Sequence, residues 1–153
     1  MHACIKKSIQ PSVILGVWLV SVGCAMAEPP VEKTMGSLYN RLGGKPAIGK
    51  VIDEFVSNVA KDERINGRFA TTDIPRFKGH MVDQVCAATG GPCTYTGRDM
   101  VTTHRGMRIS NAEFSAVVED LVTALNTLKV PEAEQQELLS LLGSMKPDIV
   151  EIP

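Results

Sequence analysis

Apolar residues recur every three or four positions along several segments of the chain. The first of these segments has the spacing i, i+3, i+4, i+7, i+8 and i+11, carried by Ile48, Val51, Ile52, Phe55, Val56 and Val59. That spacing places all six residues on one face of an α-helix. Pro46 suits the first turn of such a helix, where an amide proton would have no partner. The segment therefore predicts an amphipathic helix that begins near Pro46.

A second amphipathic helix is predicted between Asp73 and Gly90. Asp73 and Pro75 are typical of a helix start, and Gly90-Gly91-Pro92 is typical of a helix end. One face of this helix is predicted to carry Phe77, His80, Met81, Gln84, Val85 and Ala88. Most of that face is apolar, so we expect it to point into the protein, with His80 either inside or at a pocket rim.

Two more helices are predicted towards the C-terminus. Ser110 and Glu113 form a capping box, and they open a long helix whose apolar face is Phe114, Val117, Val118, Leu121, Val122, Leu125 and Leu128. Pro131 begins the last helix, and Pro147 is expected to end it. The apolar stripe of that last helix is Leu138, Leu141, Leu142 and Met145.

The remaining elements are short. Ser37 is expected to cap a short helix that ends at Leu42, before the paired glycines that follow. Phe69 is expected in a bend, the segment 95–98 in a loop, and residues 100–105 in a short helix. No segment shows the alternation of a β-strand, and no internal repeat is visible. The sequence therefore predicts a single all-α domain.

Residues 1–27 have the pattern of a secretory signal peptide. Lys6 and Lys7 precede an apolar run at residues 13–23, and Ala25-Met26-Ala27 matches the small-x-small pattern of a cleavage site. The apolar run is short for a membrane span, so an uncleaved anchor is less favoured, as is a lipoprotein modified at Cys24. We expect a periplasmic or secreted protein, with a flexible lead-in at residues 28–36 and a folded domain at residues 37–150.

Charge and cysteine content narrow the classes of partner. The chain has 16 basic and 17 acidic residues without a basic stripe, so we expect no nucleic-acid partner. We also expect no stable membrane span after signal cleavage. Cys86 and Cys93 would remain after cleavage, with Gly90-Gly91-Pro92 between them to turn the chain. We expect them to form a disulfide, which can persist in an oxidising compartment. The alternatives are a buried Cys86 with a free Cys93, or a zinc site with His80 and His104, which the spacing disfavours.

Several motifs together resemble the first group of truncated haemoglobins, which are small globins with a two-over-two helical sandwich. These motifs are SLYNRLGG, the Phe69 bend, GGP followed by YTG, Met100 and His104 in MVTTHRG, and the long helix that begins near Phe114. The resemblance covers roughly residues 37–150. It implies a haem b (iron protoporphyrin IX) in a pocket enclosed by the helices.

By this resemblance, His104 is the proximal ligand of the haem iron. A neutral imidazole nitrogen binds iron strongly, and one such bond holds the haem of a globin. Met100 is expected under the macrocycle and Phe69 against its face. The other residues expected at the pocket are Val56, Phe77, Met81, Tyr95, Phe114 and Val118. Without the surrounding motifs, a single histidine on a short polar helix is weak support for a metal site.

His80 is the candidate for a second axial ligand. It matches a position at which some family members carry a histidine that binds the iron from the distal side. A histidine on an apolar helix face is more often a hydrogen-bonded core residue. The expectation is therefore a bis-histidine resting state, with a hydrogen-bonded histidine as the alternative.

The residues expected to face a bound gas depart from the family pattern. Many members carry tyrosine at the position of Val56 and glutamine at that of Met81, whereas Val56, Phe77 and Met81 are all apolar here. A donor to a charged acceptor contributes roughly 1.5–3 kcal/mol, so tight oxygen storage is not expected. Some relatives attach haem covalently through a histidine near the C-terminus, but the region between Gly143 and Pro147 has none here. The chain also has no C-x-x-C-H motif, so covalent haem attachment is not expected.

The resemblance implies a globin that binds oxygen, nitric oxide or carbon monoxide. The alternative is a redox or electron-transfer haem protein, or a nitric oxide dioxygenase. Either alternative would need a separate electron donor, because no flavin or nicotinamide domain is visible. A helical protein without a cofactor is a third hypothesis, and a visible spectrum separates it from the other two.

Overall fold

The structure is a computed structural model that describes residues 36–152. This part of the chain forms seven α-helices and one 3-10 helix, and the predicted all-α class is confirmed. The α-helices are α1 (Leu38–Arg41), α2 (Gly44–Val59), α3 (Ile74–Ala88), α4 (Met100–His104), α5 (Asn111–Thr127), α6 (Glu132–Gly143) and α7 (Lys146–Ile149), and the 3-10 helix is Asn66–Phe69. The predicted signal peptide, and the lead-in up to residue 35, lie outside the described residues.

Side-chain caps set the N-termini of the helices where the sequence predicts them. The Ser37 hydroxyl accepts a hydrogen bond from the backbone N–H of Asn40 at the start of α1, and Asp73 caps α3 in the same way. At α5, Ser110 and Glu113 form the predicted capping box. Each cap satisfies an amide that has no partner within its helix, which stabilises the helix by about 1 kcal/mol.

The core is organised around α2, which packs against both α3 and α5. Ile52 and Phe55 of α2 are almost fully buried, as are Val85 of α3 and Leu125 of α5. Burial of each large apolar side chain contributes about 1.5–3 kcal/mol. Helix α6 packs on α5 and α1 and adds the buried Leu138. The two helix pairs α2–α3 and α5–α6 thus enclose one interior.

Two side chains differ from the predicted stripes. Val56 is only half-buried, because it lies at the margin of the buried face of α2. Leu128 is 39% exposed, because α5 has already ended at Thr127 and the leucine is its C-cap.

The prediction that Pro147 ends the last helix is wrong. Helix α6 ends at Gly143, and Pro147 lies in the first turn of the additional short helix α7. Proline suits both roles, because it disrupts a helix interior but tolerates the first turn. After α7 the chain returns to the start of α5, where Ile152 and Ser110 form an isolated parallel bridge.

A partly buried ion pair attaches α1 to α6. The Arg41 Nε atom lies 3.2 Å from a carboxylate oxygen of Glu134, and both side chains are largely buried, at 14% and 12% exposed. A second nitrogen of the same guanidinium binds Glu137, and a third donates to the carbonyl of Gly36. The planar guanidinium serves these partners at once, which a lysine at this position would not.

A disulfide joins Cys86 at the end of α3 to Cys93 in the following loop, as predicted. The loop between them turns tightly. A Cβ atom added to Gly91 would lie 2.5 Å from the Tyr39 ring and 2.7 Å from the Cys86 sulfur, so only glycine fits there. The bond excludes both cysteines as thiolate ligands of zinc.

Among residues 36–152, no helix combines the length and the apolar character that a bilayer span requires.

Asp120 on α5 carries a buried carboxylate oxygen that has no hydrogen-bond partner among the described residues. Burial raises the pKa of this carboxyl, and the negative charge of Asp62 adds to the increase, while the nearby Arg64 opposes it. The folded state therefore holds the Asp120 proton more tightly than the unfolded chain does. Ionisation of Asp120 costs stability as the pH rises through the folded-state pKa.

The disulfide prediction is tested with a chain that begins at residue 28. Thiol titration of the unfolded, unreduced protein is expected to find no free thiol. Reduction should lower the free energy of unfolding by about 2–3 kcal/mol, because it releases a short closed loop in the unfolded chain. The double variant Cys86→Ala/Cys93→Ala is the control and should not respond to reductant. Two titratable thiols in the wild-type protein would contradict the prediction.

Asp120→Asn should raise the free energy of unfolding at pH 7 by up to about 1 kcal/mol, with allowance for partial solvent screening of the carboxylate. The gain should shrink as the pH falls through the raised pKa of Asp120 and vanish below the ordinary carboxyl pKa. Urea unfolding at a series of pH values measures it. Glu63→Gln, an exposed carboxylate for comparison, should have no effect. A pH-independent difference for Asp120→Asn would show that the carboxyl pKa is not its cause.

Candidate functional site

The main cavity of the described chain has a volume of about 450 Å³. It lies between the four long helices, and α4 and the segment after it complete its wall. Most lining side chains are aliphatic, aromatic or thioether groups, including Ile52 of α2 and Leu121 of α5. A cavity of this size and character suits an apolar organic ligand.

Seven of the ten residues predicted for the site line this cavity. They are Phe69, Phe77, Met81, Met100, His104, Phe114 and Val118. The rings of Phe69 and Phe77 lie 5.5 Å apart at 56°, so the 3-10 helix and α3 meet in an aromatic contact. The three predicted site residues outside the lining are Val56, His80 and Tyr95.

A backbone hydrogen bond orients the imidazole ring of His104. Its Nδ1 atom lies 2.9 Å from the carbonyl oxygen of Met100, one helical turn earlier. A carbonyl oxygen only accepts hydrogen bonds, so the proton is assigned to Nδ1. In a neutral imidazole the other nitrogen, Nε2, then keeps its lone pair. His104 therefore brings one free basic nitrogen to the cavity wall.

Helix α4 is only five residues long, and it is held from both sides. The Asp99 carboxylate accepts the backbone N–H of Thr102 at 2.8 Å, and this bond holds the pKa of Asp99 below its usual range. From α3, the Gln84 amide nitrogen lies 3.6 Å from the Met100 sulfur and 3.4 Å from the Met145 sulfur. Gln84 therefore links α3 to α4 and to the segment before α7.

His80 lies outside the cavity lining. Its ring is 6.3 Å from the Tyr95 ring in an edge arrangement. His80 shares a helix face with Phe77 and Gln84, which line the cavity, but it lies at the margin of that face. Tyr95 donates through its hydroxyl to the Arg98 carbonyl at 2.8 Å. Burial raises the pKa of Tyr95, so the hydroxyl keeps its proton.

Gly97 allows the loop to close over the Tyr95 ring. A Cβ atom at this position would lie 2.3 Å from the Tyr95 hydroxyl oxygen. The YTG motif therefore places tyrosine and glycine together for a steric reason.

Val56 lines a separate, smaller cavity of about 250 Å³ between α2 and α3. Phe69 and Phe77 line it as well, so these two rings form part of the partition between the two cavities. That Val56 faces a bound gas stays a prediction.

Several lining residues were not predicted as part of the site. Met107 and Met145 bring the lining methionines to four, together with Met81 and Met100. Met107 follows α4 in an irregular segment, where no periodicity predicts its direction. Met145 lies on the predicted stripe of the last helix, so that stripe was a usable signal.

Four polar side chains of the lining were also not predicted as part of the site. Arg68, Thr72, Arg98 and Thr103 all contribute to the wall. Arg68 is held by Glu113, with a carboxylate oxygen 2.6 Å away. These groups offer hydrogen-bond donors to an anionic part of a ligand.

Among residues 36–152, no group of three or more His, Cys, Asp or Glu side chains converges to hold a metal ion. His104 is instead a single imidazole on a largely apolar wall.

Comparison with protein families places residues 37–151 in the bacterial-like globins. Among curated relatives, the chain is 36% identical to the group 1 truncated hemoglobin GlbN of Mycolicibacterium paratuberculosis over 113 residues, which cover 74% of this chain and 83% of the relative. It is 32% identical to the group 1 truncated hemoglobin GlbN of Synechocystis over 114 residues, which cover 72% of this chain and 92% of that one.

Solved structures show the same likeness. The Fe(III) form of the truncated hemoglobin from Tetrahymena pyriformis matches with a TM-score of 0.73 and 30% identity, covering 75% of this chain and 98% of that chain. The 2/2 hemoglobin from Synechococcus, solved with covalently attached heme, matches with a TM-score of 0.71 and 30% identity over 75% of this chain and 98% of its own. The predicted two-over-two helical sandwich is confirmed.

Proposed function

The chain belongs to the bacterial-like globin family, as a group 1 truncated haemoglobin, and on that premise we propose that its main cavity holds one haem b that binds diatomic gases. The observation that carries the proposal is His104, a cavity-lining imidazole whose Nδ1–H is engaged by the Met100 carbonyl. Such a bond orients the ring and makes Nε2 a better ligand.

The residues present fit a haem. The lining offers a broad apolar wall for a flat macrocycle, with His104 as a nitrogen ligand and Met100 one turn before it. Arg68 and Arg98 supply the positive charge that the carboxylates of an iron porphyrin require. Without such a group the interior would keep a large apolar cavity, which is unfavourable in a close-packed protein.

When bound, haem would supply an iron atom, held by the His104 nitrogen, at which a diatomic gas would bind or the oxidation state would change. The chain's own residues then have separate tasks. His104 donates its lone pair, while Met100 holds the ring orientation through its carbonyl oxygen. Phe69 and Phe77 exclude water from the apolar wall, which lowers the local dielectric constant.

Oxygen, nitric oxide and carbon monoxide are the proposed ligands. Val56, Phe77 and Met81 carry no hydrogen-bond donor, and Gln84, the polar residue of α3 in the lining, already contacts two methionine sulfurs. A charged acceptor on a bound gas gains roughly 1.5–3 kcal/mol from a donor. We therefore infer brief gas binding rather than tight oxygen storage.

The same observation favours a second candidate function. A haem protein that does not hold oxygen tightly suits electron transfer with a separate electron donor. Nitric oxide dioxygenation with a separate reductase is the enzymatic alternative, and it requires that the oxygenated protein lasts long enough to react with nitric oxide. Consumption of nitric oxide by the oxygenated protein, with the nitrate formed and the donor identified, distinguishes this function from simple binding.

His80 is proposed as the second axial ligand in the resting state. Its neighbours Phe77 and Met81 line the cavity, so a rotation of the His80 side chain away from Tyr95 would turn the imidazole towards the same space. A gas would then have to wait for His80 to leave, and its apparent affinity would fall by the fraction of open protein. The alternative is that His80 remains at the rim beside Tyr95.

Export to the periplasm or the medium is proposed on two grounds. Residues 1–27 have the pattern of a signal peptide, and the Cys86–Cys93 disulfide is of a kind that persists in oxidising compartments. Expression as a full chain, followed by fractionation and determination of the N-terminal residue, tests the proposal.

The first prediction is that His104→Ala abolishes stable haem binding, because it removes the only proposed protein ligand on its side of the iron. Added imidazole should restore part of the spectrum by occupying the vacated space. Thr102→Ala, an exposed position on the same helix, should leave the Soret band unchanged. A wild-type Soret position and haem affinity in His104→Ala would overturn the proximal assignment.

The second prediction concerns His80→Ala. If His80 binds iron, the wild-type ferric and ferrous spectra are low-spin and six-coordinate, and the variant becomes five-coordinate or water-ligated with faster carbon monoxide binding. Arg76→Ala, an exposed position on the same helix, is the control. Should His80→Ala keep the wild-type spin state and on-rate and only lose haem faster, the bis-histidine state would be discarded in favour of the rim position.

A further inference from the structure

The segment between α4 and α5 is irregular, although it directly follows the proposed iron ligand. Gly106 has φ +79° and Arg108 has φ +54°, so two left-handed residues enclose Met107. Left-handed backbone is unfavourable for arginine, and it points successive amides away from any regular helix. The segment therefore depends on contacts from elsewhere to keep its shape.

The Glu151 carboxylate provides those contacts from one side. One of its oxygens accepts the backbone N–H of Gly106 at 2.7 Å, and the other accepts the backbone N–H of Arg108. The backbone joins in, because the amides of Glu151 and Ile152 both donate to the Ile109 carbonyl, at 2.9 and 3.0 Å. Glu151 and Ile152 are thus hydrogen-bonded to three residues of the α4–α5 segment, Gly106, Arg108 and Ile109.

The Arg68 guanidinium holds the same segment from the other side. It donates to the Met107 carbonyl at 2.8 Å and is itself held by Glu113. The amides of Gly106 and Arg108 and the carbonyl of Met107 are therefore all engaged by charged side chains. Hydrogen bonds of this kind are about twice as strong as neutral ones.

The Met107 amide connects this segment to His104, the proposed iron ligand. It donates to the His104 carbonyl at 3.0 Å, while the Met107 side chain lines the cavity. Because α4 has only five residues, a shift of Met107 reaches its last turn directly.

We propose that Glu151 is a positioning residue that sets the orientation of the His104 imidazole by clamping Gly106 and Arg108. The role rests on the proposed function, since it concerns the same iron ligand. Two oxygens on one carboxylate match two amides that lie two residues apart, which an alanine or a shorter side chain cannot do. The two backbone N–H groups hold the pKa of Glu151 below its ordinary value, so the Glu151 carboxylate that makes this clamp is ionised at neutral pH.

The clamp is tested first by amide exchange in the full-length protein, with and without haem. Glu151→Ala should speed hydrogen exchange at Gly106 and Arg108 roughly tenfold or more, given the strength of hydrogen bonds to ionised acceptors. Glu151→Gln keeps one accepting oxygen and should show a smaller increase. Asp148→Ala, an exposed carboxylate three residues earlier, is the matched control. Unchanged exchange in Glu151→Ala would overturn the clamp.

The positioning role is tested on the haem-bound ferrous protein. In Glu151→Ala the iron–histidine stretching band should shift or broaden, and haem transfer to an acceptor globin should accelerate several-fold, whereas Glu151→Gln should recover part of both. A merely structural role would lower the thermal midpoint and leave the band in place, and that result would overturn the proposal while the proposed function stands. A wild-type protein without a Soret band would instead overturn the proposed function and, with it, the positioning role.

Discussion

The packing of α2 against both α3 and α5 is the interaction on which the rest of the structure depends. One apolar face of α2 serves two neighbours. Ile52 and Phe55 on that face are almost fully buried, and both also line the main cavity. The core and the ligand site are thus consequences of the same contact.

Helix α4, which forms part of the cavity wall, depends on contacts from the rest of the structure. Five residues are too few for a helix to be stable by itself, yet this helix carries the one nitrogen that the proposed cofactor needs. Its start is capped by Asp99, its first residue, Met100, is contacted by Gln84, and the segment after it is bound by Arg68 and Glu151. The orientation of His104 is therefore a property of tertiary contacts.

Local signals explain how much of the fold was predictable from the sequence. The caps at Ser37, Asp73 and Ser110 act within one helical turn, and the buried stripes follow the period of the helix, so helix starts and core faces were predicted well. Pro147 was misassigned because proline is compatible with both the end of one helix and the start of the next. The rotation of His80 towards Tyr95 depends on how deeply α3 is seated, and periodicity carries no such information.

The site was predictable where its residues lie on helices or in family motifs, as with His104 and Phe69. Met107 and Arg68 were missed because an irregular segment and a 3-10 helix bring them to the cavity from distant parts of the chain. Glu151 was missed for the same reason, since its partners are backbone amides about 45 residues away. No sequence pattern around this carboxylate predicts such distant partners.

The four methionines of the cavity wall have a chemical consequence. Thioethers are flexible and polarisable, so they adapt to the surface of a planar ligand. They are also oxidised by peroxides to sulfoxides, which are polar. Met107 is 46% exposed and would meet an oxidant from solvent first, and its sulfoxide would place a strong dipole at the mouth of an apolar cavity. The methionines that let the cavity adapt to a ligand are thus also its sites of oxidative damage. Where peroxides are present and no sulfoxide reductase repairs the methionines, the cavity would lose its apolar wall with time.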